Sequence, residues 1–110
     1  MSNPAQEQRL AFAHGIALLL LKHVKMTAED KAYVESVRDA QTSEQLDECW
    51  RNALASAYAS VYASTSAYAS ASAYASAYAS AWACKWAIEA GVPEAQVKAL
   101  RALTLGASSE

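Results

Sequence analysis

The chain has 110 residues, 54% of them hydrophobic by type, with 9 Lys and Arg against 11 Asp and Glu for a formal charge of −2. That length suits one small domain, residues 1–110, whose core buries about 60–70% of the unfolded surface. The near-neutral balance excludes an electrostatic basis for nucleic-acid binding, which depends on clustered Lys and Arg.

Asn3, Pro4 and Gln6 read as a helix start: Asn3 is the cap, Pro4 the first helical residue, and Gln6 sits where a capping box places its partner. The helix is predicted over residues 4–25. Leu10, Phe12, Ala13, Ile16, Ala17, Leu19, Leu20 and Val24 cover more than one of its faces, which fits a helix wrapped by others. Residues 10–21 also have the length of a signal-peptide apolar region. Lys22, His23 and Lys25 follow directly, however, and no small-residue cleavage site is present, so the segment reads as core.

A second helix is predicted over residues 28–40, opened by Thr27, with Glu29 and Asp30 where the helix dipole favours acids. Tyr33, Val34, Val37 and Ala40 form its apolar stripe. Thr42 with Gln45 marks a third start, and Glu44, Asp47 and Glu48 stand near its positive end, followed by Arg51. These charges read as a solvated first turn. No glycine or proline then appears before Gly91 and Pro93, so residues 43–90 read as one helix of about 48 residues, close to 70 Å at 1.5 Å per residue. Gly91 supplies a left-handed cap. Pro93 opens a last helix over residues 93–104, with Val97, Leu100, Leu103 and, just past its end, Leu105 on its buried side.

Residues 53–83 consist almost wholly of Ala, Ser and Tyr, without charge, Gly or Pro. Their strict alternation is formally a strand signature. Alanine, though, is the best helix former and is depleted in strands, and a strand of this length would run about 100 Å without a turn. The tract is therefore read as helix. It is long enough to span a bilayer, but its many Ser and Tyr hydroxyls match hydrocarbon poorly, and no membrane span is expected. The predicted fold is all-α, a small bundle around one very long Ala/Ser/Tyr-rich helix, with residues 64–66 as its weakest point for a kink, packed against a second copy.

On such a helix Tyr68, Tyr74, Tyr78, Trp82 and Trp86 fall within an arc of about 120 degrees, and Trp50 stands ten turns before Trp86 on the same side. Aromatic side chains bring about 150–250 Å² of contact each, against little for alanine. These six residues are the candidates for partner binding or self-association. His14 and His23 lie on opposite sides of one helix without a second ligand at suitable spacing, so no metal site and no cofactor are expected. Cys49 and Cys84, about 50 Å apart along the rod, are too distant to bridge and read as small packing residues in a reducing, cytoplasmic setting. No serine sits in a nucleophile elbow, and no acid/base pair awaits a better explanation than capping, so catalysis is not expected.

The tract, preceded by TAEDKAYVESVRDAQTSEQLDECW, resembles the alanine-rich all-helical domains of bacterial and phage proteins described as immunity-like, over residues 27–103. The resemblance implies a small cytoplasmic protein that acts by binding, and it assigns no functional residue. The expected function is a non-enzymatic module that occludes the surface of another protein and self-associates. The alternatives are a small-molecule sponge stacking nucleobase-like rings on Tyr and Trp and, below it, an ice- or surface-binding helix.

Overall fold

The structure, a computed structural model that describes residues 4–55 and 77–105, is all-helical over those residues. Its helices are α1 (Pro4–His23), α2 (Ala28–Asp39), α3 (Ser43–Ala55), α4 (Ala77–Ala90) and α5 (Glu94–Leu105). Local chemistry explains the boundaries. Thr27 sits in extended backbone and its side chain accepts from the Asp30 N–H at 3.2 Å, which caps α2. Thr42 does the same for α3 through the Gln45 N–H at 3.1 Å, and the Gln45 side-chain oxygen reaches back to the Gln41 N–H at 2.6 Å. The capping box is thus displaced by one residue from its usual target. The expected Asn3 cap lies outside the described residues.

The turn between α4 and α5 is a Schellman motif: the Val92 N–H donates to the Ala87 carbonyl and the Gly91 N–H to the Ile88 carbonyl, both at 3.1 Å. Gly91 takes φ +123°, and a side chain there would meet no atom within 4 Å, so its conformation alone calls for glycine. Val92, 2% exposed, tucks beneath the turn.

Helix α1 is the hydrophobic centre and packs against all four of the other described helices. Phe12, Ile16 and Leu20, spaced by four, are fully buried with Ala13 and Ala17 beside them. Val34 and Val37 of α2, Leu46 of α3, Ala83 and Ala87 of α4 and Val97 of α5 close around them. Each large aliphatic or aromatic side chain so buried contributes about 1.5–3 kcal/mol. Gly15 lets α5 come close, since a Cβ at that position would overlap the Leu100 side chain. Arg9 is 2% exposed and its guanidinium pairs with Asp47, tying α1 to α3.

The single rod expected over residues 43–90 is corrected. A straight helix of that length needs about 70 Å, whereas the longest dimension of the molecule is 35 Å. Helices α3 and α4 instead both pack on α1. The reason is that α1 is apolar on several sides and must be covered, and an extended rod would cover only one of them. The 50 Å separation expected for Cys49 and Cys84 falls with the rod, because it exceeds the same dimension. Both are free thiols and buried. The weak point expected at residues 64–66 lies outside the described residues. Leu103, expected inside, is 84% exposed. Successive steps of three from Val97 drift by about 60 degrees each, which carries Leu103 over the shoulder of α5.

Candidate functional site

The residues of α4 divide by size. Ala83, Cys84 and Ala87 turn inward, where small side chains let the helix lie close to the bundle. Trp82 and Trp86, one turn apart, are left half-buried at the surface. Their ring centroids are 5.5 Å apart with planes tilted by 59°, and the Lys85 ammonium lies 4.8 Å from the centre of the Trp82 ring. Tilted aromatic pairs of this geometry are worth about 0.5–1.5 kcal/mol beyond their buried area, and an exposed cation–π contact about 0.5–1 kcal/mol. The pair is therefore held in a preferred arrangement while part of its surface stays open.

Of the six aromatic residues singled out from the sequence, the structure brings Trp82 and Trp86 together. Tyr78 lies on the same helix one turn earlier, and Trp50 on α3; the placement of their side chains lies outside the described residues. So do Tyr68 and Tyr74 altogether. The alignment of Trp50 with Trp86 along one rod does not hold, because the two belong to separate helices.

The sequence reading missed a cleft of about 390 Å³ between α4 and α5. Ala81, Cys84 and Ile88 on one wall face Val97 on the other, and Cys84 and Val97 form the buried floor. Lys85 and Glu89 on α4 and Glu94, Lys98 and Arg101 on α5 stand around it. Glu94 and Lys98 neutralise one another across one helical turn at 2.8 Å. That pairing holds the Glu94 carboxyl below its ordinary range and the Lys98 ammonium above its own. Burial pushes the Cys84 thiol up and the nearby Arg101 charge pulls it the other way, so the thiol stays protonated at neutral pH. The signal was present in the spacings 81, 84, 85, 88, 89 and 94, 97, 98, 101, each a single helical face.

The remaining polar candidates serve packing. His14 hydrogen-bonds the Ala40 carbonyl, joining α1 to the end of α2, and His23 bonds the Gln96 side chain at 3.0 Å, joining α1 to α5. Cys49 lies 3.5 Å from the Ser36 hydroxyl. The Tyr33 hydroxyl, buried and close to Cys49, has no hydrogen-bond partner among the described residues, and its ionisation is pushed far above the ordinary range by burial first and that neighbour second. Among the described residues no cluster of three or more His, Cys, Asp and Glu could hold a metal ion, and no described helix is long and apolar enough to cross a membrane.

The fold and this surface define an all-α helical bundle with an aromatic helix face. No family model matches the chain, and no curated protein or solved structure matches it either.

Proposed function

We propose that this chain is a non-enzymatic interaction protein that docks through the outer face of α4, with a second copy of itself as the first partner and another protein's surface as the target it occludes. The observation that carries the reading is the Trp82–Trp86 pair: two large rings in fixed mutual geometry, partly open, on a helix in which Ala, Ser and Cys make up most of the other residues. Tryptophans in this condition are the side chains that dominate protein–protein binding energies, because they bring area at little entropic cost. Tyr78, one turn along the same helix, extends the patch in sequence. An immunity-like or phage-encoded inhibitor working in the cytoplasm is the setting that the resemblance of residues 27–103 suggests.

The test is association of purified protein with itself. Sedimentation velocity across a concentration series should show a species heavier than the monomer, and Trp82→Ala with Trp86→Ala should remove it while the helical circular dichroism is kept. Each ring lies partly outside the core, so the double variant retains the packing around α1. A species that persists in the double variant rejects the α4 face as the docking surface. Stacking of a nucleobase-like ring is the weaker reading, because Lys85 already takes one face of Trp82.

A further inference from the structure

We propose that the cleft between α4 and α5 binds a small amphipathic monocarboxylate, with its apolar body on Cys84, Ile88 and Val97 and its carboxylate at Arg101. Three observations support this. First, the size: about 390 Å³ stands at the lower end of the range of about 300–1,000 Å³ typical of small-molecule sites, and the floor is apolar. That suits a chain or ring of medium size.

Second, the charges around the cleft do not cancel. Lys98 is engaged by Glu94 at 2.8 Å, which leaves Lys85 and Arg101 against the single acid Glu89. One positive charge is in excess, which matches a monoanion and not a phosphate dianion. Third, the cation best placed to receive that anion is the one least exposed to solvent. Arg101 is half-buried, makes no ion pair or hydrogen bond with another described side chain, and lies near enough to the buried thiol for its charge to be felt there. A guanidinium so placed offers two parallel N–H donors to a carboxylate in a site partly shielded from water, where such bonds are strongest. The Lys85 ammonium, seated on the Trp82 ring outside the cleft, adds a longer-range attraction.

Neither ring belongs to the lining of the cleft, and Lys85 is the lining residue that also touches Trp82. Because the carboxylate is received at Arg101, which contacts neither ring, the proposal is tested apart from self-association.

The experiment titrates octanoate, octanol and octylamine into the full-length chain and follows backbone amide shifts. Octanoate is expected to saturate at up to about 5 mM, with its largest shifts in residues 81–89 and 94–101. Octanol and octylamine are expected to bind at least about tenfold more weakly. Arg101→Met, at a half-exposed position, should weaken octanoate about tenfold with the melting curve preserved, and Lys85→Met by a smaller factor. Glu89→Gln should strengthen it, because it removes the opposing charge. Equal binding of octanol, undiminished binding to Arg101→Met, shifts centred elsewhere, or no saturation with octanoate would each overturn the proposal.

Discussion

Two helical hairpins, α1 with α2 and α4 with α5, use the same device, a pair of helices joined by a short turn, yet they pack in different ways. The first pair interlocks bulky side chains: Phe12, Ile16 and Leu20 meet Val34 and Val37, all fully buried. The second presents mostly small groups to the core, Ala83, Cys84 and Ala87, with Val97 opposite. Large interlocking side chains exclude voids, whereas small ones bring backbones close at the contact and leave space where the helices diverge. The cleft and the half-open tryptophans both lie on the second pair. The contrast teaches that bulky packing is concentrated in the first pair, while the open space and the partly exposed rings belong to the second.

Core truncation should separate the two regions most strongly. Phe12→Ala is expected to cost about 3–5 kcal/mol in denaturant unfolding, whereas Ile88→Ala, half-buried at the cleft, should cost less than half of that. Equal losses would erase the contrast. Enlarging a side chain probes it from the other direction. Ala17→Leu overpacks a filled core and should destabilise by about 1–3 kcal/mol, while Ala81→Leu, at an exposed position on the cleft wall, should stay within about 1 kcal/mol of the parent. A severe loss from Ala81→Leu would show that the α4–α5 contact is as tight as the α1–α2 one.

Smaller still is the effect expected at the turn that joins the second pair. Gly91→Ala meets no steric obstacle, so its cost is that of holding a side chain at positive φ, about 1–2 kcal/mol, read as a lowered melting temperature. The smallest effect is electrostatic. The Glu94 carboxyl is held below its ordinary range in the folded chain by its hydrogen bond to Lys98, so its contribution is complete above the unfolded value and is lost as pH falls through the lower folded value. Lys98 behaves in the opposite sense, keeping its contribution until pH rises through its elevated folded value. Both groups are exposed, so Glu94→Gln should slightly flatten the acid limb of melting temperature against pH at low salt. At high salt the difference should vanish.

Much of the fold was legible because it was local. The caps at Thr27 and Thr42, the stop at Gly91 and the many-sided apolar pattern of α1 each follow from a few adjacent residues, and each appears in the structure. What was not legible was non-local. High helix propensity and the absence of Gly and Pro made residues 43–90 look continuous, but propensity cannot register that α1 needs covering from several sides. Leu103 was misplaced for a related reason: a stripe stepping by three drifts off the buried face within two turns. Trp82 and Trp86 were legible as members of one aromatic arc, and their spacing of four lets them touch on a helix. The cleft was legible only wall by wall: each set of lining residues falls on one helical face, but nothing in the sequence says that the two faces meet until α4 and α5 are set side by side.

The most direct test of the account is light scattering on the parent protein and on the Trp82→Ala/Trp86→Ala variant at matched concentrations. The account predicts a concentration-dependent rise above the monomer mass of 11.7 kDa in the parent, and a monomer with unchanged helical content in the variant. A parent protein that stays strictly monomeric at high concentration, or an association indifferent to the loss of both rings, would contradict it.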